Sequence, residues 1–218
     1  PAVAGRGPSV LGMSGHVLAI CFDFGDTLID EATEVKDETF TTLRAELIPG
    51  ADALVRELKR QGYPLALVAD GQPGTYRNVL AQHGLYDLFD AFSISELVGV
   101  QKPDRRMFTH ALDQLGIAED DYGRTVMVGN YLERDVKGAN SVGMISVWLD
   151  WAPRRPKVPA DPSEMPQHTI YRPLELLPLI EALERGAANL GLQGRNGEGD
   201  HDAMETMERQ APPPVEEL

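Results

Sequence analysis

The sequence predicts a three-layer α/β fold built on a parallel sheet of five strands. Three observations predict it. Short apolar runs at 17–22, 64–69, 91–95, 125–128 and 144–149 alternate with stretches of helical spacing. That order gives parallel strands joined by helical crossovers. The runs are near-continuous rather than alternating, as expected of strands buried on both faces. Finally, 218 residues at 42 % hydrophobic and 25 % charged suit one globular unit with a sizeable core.

Taken in order, residues 1–15 are rich in Gly, Pro and Ala and read as a flexible leader. The core is expected over 16–185. Strand one ends at Phe22. A polar stretch follows, then a candidate helix over 38–47 with Phe40, Leu43 and Leu47 on one side. Pro49-Gly50 punctuates. A helix over 51–61 carries Leu54, Val55 and Leu58 inward and stops at Gly62. Strand two tolerates Pro64 at its first position. Asp70-Gly71 is a turn before a helix over 75–83. The third strand leads to Lys102-Pro103-Asp104, which opens a helix to Leu115 with Asp104 at its positive end. A helix over 134–141 separates strands four and five. Residues 152–166 hold five prolines and read as a loop. Thr169-Ile170 is a candidate edge strand, and a last helix starts near Leu177, with Pro178 in its first turn, and ends near Leu183. Residues 186–218 read as a disordered acidic tail.

The net charge is −14. Seven acids against Arg195 and Arg209 place −5 of it in residues 186–218. An acidic body repels phosphate backbones, so nucleic acid is not an expected partner. A small phosphorylated molecule held locally by a cation remains compatible. Cys21 stands alone, so no disulfide forms within the chain, which suits a reducing compartment. Inside strand one it reads as a small buried apolar residue. No apolar run approaches the ~18 residues of a membrane span. No charged leader precedes a long apolar stretch, so a cytoplasmic location is expected.

Asp23 follows strand one directly, at the edge where ligands bind in open α/β sheets. Phe24, Gly25, Asp26 and Thr27 form a turn behind it. This stretch resembles the first signature of the haloacid dehalogenase (HAD) superfamily: a nucleophilic Asp, a second Asp two places on, then Thr. Gly25 stands at the second-Asp position, with Asp26 one place late. The second signature resembles Ala69-Asp70-Gly71, with Ala69 in place of a hydroxyl residue. The third, Lys-Pro-Asp, is matched in full by Lys102-Pro103-Asp104. The fourth resembles Gly129-Asn130 through Asp135 to Gly138-Ala139, with Asn130 in place of an Asp. The order and spacing point to a HAD-like, Rossmann-like core without a full cap, because only 28–50 separate Thr27 from the helix at Ala51. By resemblance the strand order is 5-4-1-2-3.

The resemblance implies a magnesium-dependent phosphatase. Asp23 attacks phosphorus and forms an aspartyl-phosphate that water then cleaves. A carboxylate attacking a phosphate of like charge needs a cation to spread that charge. The resemblance makes Asp23, the Gly25 carbonyl, Asn130 and Asp135 the Mg²⁺ side, Lys102 the charge stabiliser, and Thr27, Asp70 and Gly71 the phosphate contacts. The substrate is a small phosphorylated molecule or a phosphorylated macromolecule, and the protein could form oligomers.

Gly25 leaves the proton donor to the leaving group unassigned, a deficit of ~10²–10⁴-fold in rate. Three outcomes stay open: a substrate with a good leaving group, Asp26 or Asp70 as stand-in, or vestigial hydrolysis. On this reading Gly25→Asp raises the rate of a competent scaffold. The alternative to an enzyme is a catalytically weakened binding or regulatory protein on the same fold. A dehalogenase acting at carbon is a weaker rival. His83, His110 and His168 lack metal spacing, and Trp148 and Trp151 read as core.

Overall fold

Each sheet strand sends successive side chains into two different cores. The structure, a computed structural model, describes residues 17–195, with side chains over 17–186. The elements are β1 (Ala19–Phe22), β2 (Val35–Lys36), β3 (Thr42–Arg44), α1 (Ala51–Arg60), β4 (Leu65–Ala69), α2 (Pro73–Gln82), β5 (Ala91–Ile94), α3 (Ser95–Val98), α4 (Arg105–Gln114), β6 (Thr125–Gly129), α5 (Lys137–Val142), β7 (Ile145–Leu149), β8 (His168–Ile170) and α6 (Leu176–Arg195). The main sheet runs β5-β4-β1-β6-β7-β8 and is parallel throughout. The predicted five-strand order holds, and the candidate edge strand at Thr169-Ile170 adds a sixth, β8, beside β7.

Ile20 and Phe22 of β1, Leu65 and Leu67 of β4, and Val126 and Val128 of β6 pack on one face against α1, α2 and α6. Between them Cys21, Ala66, Val68 and Met127 face the opposite core, with Met107, Phe108 and Leu112 of α4 and Ala139 of α5. This double burial explains the unbroken apolar runs. Burial pushes the Cys21 thiol up to about 12, so it stays neutral, as a packing residue should.

The second core contains one close helix contact. A Cβ on Gly138 of α5 would lie 2.1 Å from Phe108 Cε2 and 2.2 Å from its Cζ. Gly138→Ala is therefore expected to overpack the α4–α5 contact and destabilise by ~1–3 kcal/mol. For a chain of this size that lowers Tm by about 2–4 °C per kcal/mol, readable by thermal unfolding.

The helix predicted over 38–47 is instead an antiparallel hairpin of β2 and β3, paired Val35↔Arg44 and Lys36↔Thr42. Local polar bonds override the helical spacing of Phe40, Leu43 and Leu47. Asp37 Oδ1 accepts from the Thr39 and Thr41 amides and the Thr39 hydroxyl, a side-chain turn that competes with helix. Phe40 takes φ 63°, and β-branched threonines favour strands. Phe40 and Leu43, placed on one side of that candidate helix, are 80 % and 50 % exposed. This hairpin and a 3₁₀ turn at Glu31–Thr33 fill the interval between β1 and α1, so no helical cap is inserted there.

The last helix also departs from expectation. It runs to Arg195, through Gly186, where the sequence suggests loss of order. Each glycine costs only ~1 kcal/mol in a helix, and the strong helix formers Ala187, Ala188, Leu190 and Leu192 alternate with Gly186, Gly191 and Gly194. The expected leader and the remainder of the expected tail lie outside the described residues. No helix among the described residues is long and apolar enough to cross a membrane.

Candidate active site

β1, β4 and β6 are neighbours at the sheet centre, so the loops leaving their carboxyl ends converge. The first polar residue after β1 is Asp23, and its amide is tied to the Val128 carbonyl of β6 at 2.9 Å. The loop after β6 is a π-helical turn, Leu132–Val136. The Tyr131 carbonyl accepts there from the Asp135 amide at 2.8 Å, and the Tyr131 amide donates back to Asp135 Oδ2 at 2.9 Å. Gly129 permits this turn: a Cβ there would lie 2.3 Å from Asp135 Cγ. The π turn replaces the first part of the helix predicted from Arg134.

Lys102 arrives from the segment before α4. Its amide donates to Asp70 Oδ1 at 3.0 Å, at the turn after β4. Its ammonium lies 2.6 Å from Asp23 Oδ1 and 2.6 Å from Asp135 Oδ1. The three side chains are nearly sealed, at 3 %, 13 % and 1 % exposure for Lys102, Asp23 and Asp135. Burial works against the Lys102 charge, but Asp135 and Asp23 outweigh it and hold its pKa above the ordinary lysine value. Asp135 is pushed up to about 7, first by burial and then by the Asp23 charge, against the pull of Lys102. One cation thus holds two buried carboxylates whose mutual repulsion is otherwise unrelieved.

A cavity of about 290 Å³ opens over this cluster. Asp23, Gly25, Asp70, Gly71, Lys102, Asn130 and Asp135 all line it, together with Lys36, Phe40 and Thr42 from the hairpin. The hairpin therefore borders the site, in the interval where the sequence leaves no room for a full cap. Thr27 is placed differently from its expected role as a phosphate contact. It is 2 % exposed, and its hydroxyl donates to Asp23 Oδ2 at 3.2 Å, so it holds Asp23 from behind. Asp26 also points away. It is fully buried at φ 54°, accepts from the Glu31 amide at 3.2 Å, and is clasped by Arg154. That excludes it as the stand-in acid. Asp70, the other candidate, is engaged at Oδ1 by the Lys102 amide and at Oδ2 by Arg134 at 3.4 Å.

Other residues at or behind the cavity wall carry no signature in the sequence. The guanidinium groups of Arg134 and Arg155 both lie over the Tyr131 ring, each 5.2 Å from its centre. Trp148, read as core, is buried beside Leu132 and Val136 and also donates its indole N–H to the Asn130 carbonyl at 3.1 Å. Burial first, and then the Asp23 charge, raise the Tyr76 phenol, so it enters the cavity protonated. Glu31 lines the wall beside Gly25, with Arg155 Nη2 2.5 Å from its Oε2. Burial raises its carboxyl above the ordinary value, Arg155 opposes this, and Asp26 and Asp23 add to it.

The sequence from 36 to 143 matches the family model for haloacid dehalogenase-like hydrolases. Phosphoserine phosphatase of Thermus thermophilus is 36 % identical over 138 residues, 63 % of this chain and 53 % of that protein. Glyceraldehyde 3-phosphate phosphatase of Pyrococcus furiosus is 33 % identical over 146 residues, 67 % of this chain and 57 % of that protein. The chain thus spans a little over half the length of these curated relatives. A solved HAD phosphatase from Thermococcus onnurineus superposes with TM-score 0.54 at 29 % identity, over 62 % of this chain and 59 % of that one. The HAD-hydrolase YfnB of Bacillus subtilis, at 19 % identity, shares the fold with TM-score 0.62 over 75 % of this chain and 98 % of its own. Fold and site together define a parallel α/β protein with a carboxylate–lysine cluster at the carboxyl edge of its sheet. The chain belongs to the haloacid dehalogenase-like hydrolase superfamily.

Proposed function

We propose that this protein is a phosphatase that transfers a phosphoryl group to Asp23 and then to water. The observation that carries the reading is the Lys102 ammonium 2.6 Å from both Asp23 and Asp135, at the floor of a polar cavity. A purely structural ion pair has no need of a second buried acid or an open approach. The relatives support the reaction class, since two of them are named phosphatases of small phosphorylated compounds. A cavity of about 290 Å³ suits a small phosphate monoester or a phosphorylated side chain of a macromolecule.

The donor set fits a divalent cation. Asp23, Asp135, Asn130 and the Gly25 carbonyl offer oxygen alone, the chemistry magnesium prefers. Asn130 Nδ2 is buried without a hydrogen-bond partner. Turning the amide over presents an oxygen in its place. Magnesium bound there would supply charge neutralisation between Asp23 and the phosphate. The chain's own residues do the rest. Thr27 holds Asp23 Oδ2, leaving the other oxygen facing Lys102. Lys102 offsets the charge that gathers at the transferring group, and Asp135 keeps Lys102 in place. The Asp70–Lys102 backbone bond fixes the loop that delivers the ammonium. A reducing, cytoplasmic setting belongs to the same proposal, supported by the buried free thiol of Cys21.

Phosphate release from a panel of monoesters tests the reading. Release is expected with added magnesium, to fall to background on chelation, and to return when magnesium is restored. The rival binding or regulatory role predicts retention of phosphate compounds with no release under any metal condition.

A further inference from the structure

We propose that Glu31 is the general acid and base of this site, the group that protonates the leaving oxygen and then activates water. The inference rests on the phosphatase reading and names a residue for its unassigned step.

Five carboxylates line the cavity: Asp23, Glu31, Glu34, Asp70 and Asp135. Four of them have both oxygens engaged. Asp23 is held by Lys102 and Thr27, and Asp135 by Lys102 and the Tyr131 amide. Asp70 is held by the Lys102 amide and Arg134, and Glu34 by the Thr42 hydroxyl and Lys36. Glu31 differs. Arg155 binds its Oε2, and among the described residues its Oε1 has no partner.

That oxygen is aimed at a definite place. A Cβ built on Gly25 would lie 1.9 Å from Glu31 Oε1 and 2.7 Å from its Cδ. The Glu31 carboxyl therefore occupies the volume that a side chain at position 25, two residues beyond the nucleophile, would enter. The loop is fixed for this purpose at both ends. The Glu31 amide bonds Asp26, and Arg155 is also 3.5 Å from Asp26. Glycine at 25 and glutamate at 31 form one arrangement, in which a carboxyl arrives from the following turn.

The reaction balances with this one group. Asp23 forms a bond to phosphorus as the P–O bond to the leaving group breaks. The leaving oxygen takes the electron pair and a proton from Glu31, and departs as an alcohol. The Glu31 carboxylate then accepts a proton from water as the water oxygen bonds phosphorus. The Asp23–phosphorus link breaks, which frees inorganic phosphate and restores both acids.

The test compares two probes in the full chain with magnesium. The leaving group of p-nitrophenyl phosphate departs without a proton, whereas glycerol phosphate needs one. Glu31→Gln is expected to lower glycerol phosphate turnover roughly 10²-fold or more. With p-nitrophenyl phosphate it is expected to keep a rapid burst of one p-nitrophenolate per chain, followed by slow turnover, since only the water step then needs the base. Gly25→Asp alone, which the sequence by itself suggests would raise the rate, is instead expected to lose activity, because its Cβ would lie 1.9 Å from Glu31 Oε1. Gly25→Asp with Glu31→Ala is expected to regain at least tenfold over Glu31→Ala on glycerol phosphate. No loss in Glu31→Gln, or equal loss of burst and alkyl turnover, overturns the Glu31 assignment alone. Absence of any Asp23-dependent phosphate release from the native chain on either probe overturns the phosphatase reading, and this assignment with it.

Discussion

Asp23→Asn is expected to fold normally and release no phosphate, a loss of roughly 10⁴–10⁶-fold, the scale on which removal of a nucleophile acts. An amide of the same shape cannot form the acyl phosphate. The fold should survive because the charge count improves. Lys102 keeps its 2.6 Å contact with Asp135, and the second buried carboxylate, which burdens Asp135, is gone. Phosphate release and urea unfolding on one preparation check both halves. Turnover retained within tenfold would remove Asp23 from the chemistry. A collapse of stability would mean that the carboxylate is structural.

Lys102→Met is expected to cost about 3–5 kcal/mol of stability, the scale for stripping the partner from a buried charge, and to abolish turnover as well. The methionine stem fills the same channel, so the loss reports on charge and not on volume. Two carboxylates are left facing each other with no cation between them. Asp135 is already pushed up to about 7 with Lys102 present. Its folded pKa lies well above that of an ordinary aspartate, so the folded state binds the extra proton. The stability this supplies is present at low pH and is lost as pH rises through about 7. The variant should accordingly be less impaired at pH 5 than at pH 8. Lys102→Met with Asp135→Asn should recover part of the stability and none of the activity. Urea midpoints at the two pH values read all of this.

What the sequence discloses is what depends on burial and on strand ends. The unbroken run ending at Phe22 marks a central strand because both its faces meet a core, and Asp23 must then stand at the ligand edge. Lys102 and Asp135 are legible through the family resemblance, Lys102 in its Lys-Pro-Asp and Asp135 by its spacing from Gly129-Asn130. Contacts that join distant loops are not legible. Glu31 and Arg155 meet across 124 positions, one from a short turn and the other from a proline-rich loop with no period. Their only trace is an acid shortly after an unusual glycine, which carries no weight until the Gly25 cradle is seen. The hairpin at 35–44 hides behind helical spacing because its turn is set by Asp37 hydrogen bonds. Thr27 shows the same limit within four residues, since its type does not say whether its hydroxyl faces the cavity or Asp23.

The central claim is that Asp23 accepts the phosphoryl group, and a structure of the full chain with magnesium and beryllofluoride tests it most directly. The account predicts trifluoroberyllate bonded to an Asp23 carboxylate oxygen, with the Lys102 ammonium beside it and the Glu31 carboxyl facing the open side. A bare Asp23, with the fluoride absent or held elsewhere in the cavity, contradicts it.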